Sequence, residues 1–96
     1  MRFTWDEGKS RSNLKDHKVS FERASLVFKD PHALSIPDPF EDEERWRTMG
    51  LVNGVVILLV VHTAKGRDDD QVIGIISARK ATRREAEEYE KAAENR

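Results

Sequence analysis

Ninety-six residues, 38% hydrophobic and 36% charged with a net charge of -1, describe one small domain (residues 1–96) with a thin core and a well-solvated exterior. The lack of cysteine excludes disulfides and thiolate metal sites, and His17, His32 and His62 are too scattered for a helical HExxH pair, so neither a structural metal nor a cofactor is implied. The longest apolar run, Val55 to Val61, falls far short of the ~20 residues of a membrane span, and MRFTWDEGK lacks the apolar centre of a signal peptide, so a cytoplasmic protein with no membrane partner is expected.

Phe3 and Trp5 alternate with polar neighbours as a very short strand, and Asp6 is placed to cap a helix running to about Asp16. That helix is polar, with Leu14 its one large apolar residue and Lys9, Arg11 and Lys15 on its outer surface. Ser20 offers a second cap, after which Phe21, Ala24 and Phe28 recur at helical spacing beside Leu26 and Val27; Lys29-Asp30-Pro31 ends the helix. Ala33 to Ile36 reads as a short strand, followed by a solvated connector with Pro37, Pro39 and the acidic run Glu41 to Glu44.

Arg45–Val52 and Val55–Thr63 flank Asn53-Gly54, a pair suited to the positive φ of a type I′ hairpin turn. VVILLVV is apolar on both faces, as in a central strand covered by helices on one side and by something else, such as a partner, on the other. Gln71–Arg79 returns as the next antiparallel strand after a loop holding Gly66 and Asp68 to Asp70. Thr82-Arg83-Arg84-Glu85 matches a capping box for a terminal helix over about Arg83–Glu94, which docks lightly through Ala86, Tyr89 and Ala93. The sum is an α+β domain: two N-terminal helices, an antiparallel meander of three to four strands and a C-terminal helix.

Four basic residues, Arg79, Lys80, Arg83 and Arg84, gather where the last strand hands over to the capped helix. Their charge and the unpaired N–H groups of the helix start suit an anion, a phosphate above all. The alternative is a set of solvated residues paired with Glu85, Glu87 and Glu88. By strict alternation Arg79 shares a face with Ile73, Ile75 and Ser77, so it leaves an apolar surface. Lys65 and Arg67 follow the neighbouring strand, and a meander can bring them to converge with Arg79. His62 at a strand end is a proton-transfer candidate or a structural residue. His17, between Lys15 and Lys18, either caps a helix C-terminus or contacts a substrate, while His32 reads as a loop residue. Trp46 between Arg45 and Arg47 is core or a stacking surface, and Trp5 is core. No P-loop, dinucleotide fingerprint or nucleophile elbow is present. The residues alone lead to an anion-binding α+β domain.

FTWDEGKSRSNLKDHKVSFERASLVFKDP resembles the opening of the BrnT toxin family through Phe3, Trp5-Asp6 and Lys9, then Asn13, His17, Val19 and Phe21, then Phe28 and Asp30-Pro31. Glu44-Arg45-Trp46, Gly50, the LLVV run, Ile75 to Ala81, Glu85 and Tyr89 are similar to its later blocks. The resemblance implies a RelE-like, metal-independent endoribonuclease toxin of a type II toxin–antitoxin pair. Its partners would be an RNA substrate, a BrnA-type ribbon-helix-helix antitoxin and, only through that antitoxin, operator DNA. It makes Arg79 the first choice for charge stabilisation and Lys65 and Arg67 the second. His62, His17 and Tyr89 become candidates for proton transfer or positioning, and Lys15, Lys18, Lys80, Arg83 and Arg84 candidate RNA contacts. A non-catalytic RNA- or partner-binding module, or a co-repressor acting with its antitoxin, is the alternative. Two departures stand out. Asp16-His17-Lys18-Val19 replaces the family's KHGV, so Lys18 bears about 1 kcal/mol if the turn needs positive φ. The stretch His62 to Arg67 lacks the family's usual aromatic residue and arginine.

Overall fold

Cap residues place the helices. In the computed structural model, which describes residues 1–40 and 42–95, Asp6 accepts the Lys9 N–H at 3.0 Å and opens helix α1 (Glu7–His17). Ser20 accepts the Arg23 N–H at 3.1 Å to open α2 (Phe21–Ala24), and Thr82 opens α3 (Arg83–Glu94). The second helix does not continue to Asp30 as its periodicity predicts; it tightens into a 3-10 turn over Ser25–Lys29. The Ser25 hydroxyl donates back to Glu22 O at 2.6 Å, which bends a helix. The tightened turn lies against Gly50, where a Cβ would stand 2.7 Å from Val27 O.

Five strands, β1 (Arg2–Thr4), β2 (Leu34–Asp38), β3 (Arg45–Val52), β4 (Val56–Lys65) and β5 (Val72–Lys80), form one sheet in the order β1-β5-β4-β3-β2. The antiparallel meander forms from β2 to β5. Its central hairpin turns at Asn53 (φ 54) and Gly54 (φ 69), with the Val55 N–H bonded to Val52 O at 3.1 Å. The correction is β1, which lies parallel to β5 from Arg2↔Val72 to Thr4↔Gly74, so the sheet is five-stranded and mixed. Parallel pairing needs a long crossover, and both N-terminal helices and the meander lie between these two strands. Glu41, the start of the predicted acidic connector, lies outside the described residues.

A bulge overturns the alternation expected of β5. Val61 pairs with Ser77 but His62 pairs with Ile75, leaving Ile76 as the extra residue. Beyond it the faces exchange. Ala78 therefore joins Ile73 and Ile75 in the main core, with Leu58, Val60, Val52 and the helix residues Val19, Phe21, Ala24 and Val27. Arg79, opposite Leu59, emerges on the other face, where Met49, Leu59 and Tyr89 form a second, smaller core flanked by Leu34, Ile57 and Val61.

Where β1 stops, Asn13 of α1 takes over the edge of β5. Its Nδ2 donates to Ala78 O at 2.8 Å and Val19 O at 2.7 Å, and its Oδ1 accepts the Ala78 N–H at 3.2 Å. The amide substitutes for the peptide of a neighbouring strand, so buried backbone groups stay paired and α1 is fixed to the sheet. Among the described residues no helix is long and apolar enough to cross a membrane.

Candidate functional site

The seam between β5 and α3 is organised around a carboxylate of the chain itself. Glu85 is the third residue of α3, and its Oε1 accepts the Thr82 N–H at 2.8 Å while Thr82 Oγ1 accepts the Glu85 N–H at 3.2 Å, completing the predicted capping box. The same carboxylate meets Arg79 end-on, Nη1 to Oε1 at 2.7 Å and Nη2 to Oε2 at 3.0 Å, and Nη1 also donates to Lys80 O at 3.2 Å. The Arg79 hydrogen bonds hold the Glu85 carboxyl far below its ordinary value, at about 2, against a smaller opposing effect of burial. A guanidinium has five N–H donors. Among the described residues the Nε–H and one Nη2–H of Arg79 remain without a partner, on a side chain 39% exposed. Arg79 is thus held at one end and open along one edge.

Around it Lys80, Arg83 and Arg84 are exposed, and Arg83 approaches Glu87 at 3.6 Å across open solvent. These cations stay together as the sequence suggested. Lys65 and Arg67 do not converge with Arg79. Lys65 pairs with Val72 and Arg79 with Leu59, at opposite ends of the β4–β5 ladder, roughly 20 Å apart along the strand. Adjacent strands do not make adjacent residues: the antiparallel return brings the loop to one end of the ladder and carries Arg79 to the other.

His17 closes α1 and is exposed, one helical turn beyond Asn13. Lys18 follows as the left-handed cap, φ 63, its N–H bonded to Leu14 O, and its Nζ donates to Lys15 O at 3.2 Å. Tyr89 is buried, and its hydroxyl donates to the Asp30 carboxylate, which also accepts the Leu51 N–H at 2.7 Å and the His32 N–H at 2.9 Å. Burial pushes Asp30 up, but these hydrogen bonds together hold it below its ordinary value. Asp30 therefore joins α3, the 3-10 turn and β3.

His62 lies on the other face of the sheet, 3% exposed, edge-on to Phe28 at 4.9 Å. Its Nε2 is 2.6 Å from Thr48 Oγ1, which is 2.7 Å from Ser35 Oγ, and its Nδ1 is 3.2 Å from Thr63 O. Burial lowers its pKa, with the Thr63 carbonyl opposing. A cleft of about 440 Å³ opens beside it, with Trp46, Phe28, Ser35, Glu44 and Gln71 among its walls. From the sequence, Asn13 and Asp30 stood out only as positions of the family resemblance, and Asp30 as a helix end, with no site role given, and Ser35 and Thr48 were not singled out. Of the latter two, Thr48 carries a signal, as a polar residue on the strand face that also holds Gly50 and Val52. Among the described residues no three histidine or acidic side chains converge as a metal site would require.

A sequence model of the family described as "Ribonuclease toxin, BrnT, of type II toxin-antitoxin system" matches residues 5–85. The crystal structure of the Brucella abortus ribonuclease toxin BrnT is similar in fold, with a TM-score of 0.61 and 24% identity over 86% of this chain and 99% of that one. No curated protein matches the chain.

Proposed function

The chain belongs to the BrnT family of ribonuclease toxins of type II toxin–antitoxin systems, and we propose that it is a RelE-like cytoplasmic endoribonuclease that cuts RNA without a metal ion at the Arg79 seam. A 2′-hydroxyl attacks the adjacent phosphorus as its proton passes to a base. The P–O5′ bond breaks, and the leaving oxygen takes a proton from an acid, giving a 2′,3′-cyclic phosphate and a 5′-hydroxyl. The open Nε/Nη2 edge of Arg79 stabilises the charge gained by the phosphoryl oxygens, and Lys80, Arg83 and Arg84 hold flanking phosphates. His17 is the histidine for proton transfer, flanked by Lys15 and Lys18 as RNA contacts, because His62 faces away and the Tyr89 hydroxyl is committed to Asp30. Lys65 and Arg67 bind RNA at a distance from the scissile phosphate.

The observation that carries this reading is the grip of Glu85 on Arg79, which fixes the guanidinium while leaving a bidentate edge open. Purified protein should cleave RNA equally well in chelator and leave 2′,3′-cyclic or 3′-phosphate ends; 3′-hydroxyl ends would contradict the mechanism. Membership of a type II system implies an antitoxin, and we assign it as a BrnA-type ribbon-helix-helix protein through which alone operator DNA is bound. A second reading, an RNA-binding module or co-repressor without catalysis, is favoured by the shortage of proton-transfer groups at the seam. Saturable RNA binding with no cleavage under any buffer condition would select it.

A further inference from the structure

The cleft beside His62 has a polarity fixed by its hydrogen bonds. A carbonyl oxygen only accepts, so the bond to Thr63 O places the proton of His62 on Nδ1 and leaves the Nε2 lone pair facing Thr48. Thr48 therefore donates to Nε2, and its oxygen accepts the hydroxyl proton of Ser35. Ser35, exposed at the cleft, has its proton turned inward and presents only lone pairs outward. Glu44, exposed at the same cleft, has no hydrogen bond or ion pair among the described residues, and neither does the Gln71 side chain. Trp46 is half-buried in the wall, on the face shared with Thr48. The site is an aromatic surface with the Ser35, Gln71 and Glu44 acceptors around it, in a volume suited to a small group; Met1 also lines it, its N-terminal ammonium bonded to Asp69 O at 2.9 Å.

We propose that this cleft binds a guanidinium group, the side chain of an arginine presented by a partner polypeptide. Guanidinium is planar, carries five donors and no acceptor, stacks on indole and pairs with a carboxylate. It satisfies Ser35 Oγ, Glu44 and the Gln71 carbonyl together. A phosphate or carboxylate would meet Glu44 and the Ser35 lone pairs with repulsion. This site lies on the sheet face opposite Arg79, so its occupancy is independent of the ribonuclease reading.

The test is an NMR titration of the whole chain with N-acetyl-arginine amide, following the two tryptophan indole N–H signals. The Trp46 signal should move along a saturable curve while that of Trp5, whose indole is bonded to Glu7, stays in place. Glu44→Gln should weaken binding about tenfold and Ser35→Ala about threefold. Glu44 is exposed, so Glu44→Gln should melt with the parent, whereas Ser35→Ala also loses the bond to Thr48 and is compared well below its melting temperature. N-acetyl-lysine amide should bind at least about fivefold more weakly, since an ammonium does not stack as a plane. A Trp46 signal that does not move, or moves equally in Glu44→Gln, overturns the site. Tighter binding of agmatine than of the capped arginine overturns the polypeptide source in favour of a small guanidine. Tighter binding of guanosine makes the cleft a nucleobase pocket and overturns the guanidinium assignment.

Discussion

Glu85 holds Arg79 by both Nη groups, at 2.7 and 3.0 Å, while the same carboxylate caps α3. An anion does sit at this concentration of positive charge, and it is the protein's own. The arrangement explains how cations are tolerated at a helix start, where the dipole opposes them: Glu85 lies between Arg79 and the free N–H groups. It also converts a flexible side chain into an oriented one.

Arg79→Ala should lower RNA cleavage about a hundredfold or more if this guanidinium stabilises transition-state charge. Glu85→Gln isolates the orienting contribution, because glutamine supports a capping box but does not form the charge pair. Its cleavage rate should fall about tenfold through kcat with little change in KM, and its melting temperature should fall modestly, because the charge pair with Arg79 is lost while the cap remains. Full activity of Arg79→Ala in a folded protein removes the seam from the mechanism; full activity of Glu85→Gln leaves Arg79 in place but denies that Glu85 positions it.

Stability should fall with acid through two groups. Glu85 has a folded pKa of about 2 against an ordinary 4.5, so its contribution is complete above 4.5 and is lost as pH falls toward 2. His62 is lowered from 6.5, so below 6.5 the unfolded chain takes up a proton that the buried ring resists, and stability declines as pH falls from there toward the lowered value. Urea midpoints measured across this range should show the upper decline vanish in His62→Gln and the lower one shrink in Glu85→Gln. A flat profile from pH 7 to 5 in the parent would show that His62 is not held neutral.

Lys18 carries φ 63 at the end of α1, a conformation glycine reaches without a Cβ penalty. Lys18→Gly should raise unfolding stability by about 1 kcal/mol, reading the folded-state strain against the looser unfolded chain. Chemical denaturation with an unchanged m-value measures it. Destabilisation would mean that the Lys18 Nζ bond to Lys15 O outweighs the strain.

The local devices of this fold were legible because each needs only a few neighbouring residues: the caps at Asp6, Ser20 and Thr82 and the Asn53-Gly54 turn; the left-handed Lys18 was indicated only through the family's glycine at that position. The strand register was not. Ile76 looks like any other apolar residue in IGIISA, yet as the extra residue of a bulge it sends Arg79 to the face opposite Ile73 and Ile75. Nor can alternation show that a three-residue strand would find β5, or that Asn13 would continue that edge where the strand ends. The convergence of Lys65 with Arg79 was therefore misjudged, and His62, Arg79 and Lys65 belong to separate places.

The second face of the sheet bears on how an antitoxin grips the toxin. The smaller core, Met49 and Leu59 under Tyr89, occupies part of it, with Leu34, Ile57 and Val61 only half-buried and Ile36 exposed further along β2. Arg79 opens on this same face, so a partner segment laid beside α3 can bury apolar surface and occupy the Arg79 edge together. Charge pairs exposed at such a rim weaken with salt, whereas buried apolar area does not. The toxin–antitoxin complex should consequently keep most of its affinity between 0.1 and about 1 M salt, with only the association rate falling steeply. Calorimetric titration across that range is decisive, and Ile36→Asp should weaken the complex at every salt concentration. A dissociation constant that climbs continuously with salt, together with a neutral Ile36→Asp, would place the antitoxin on the cationic seam alone.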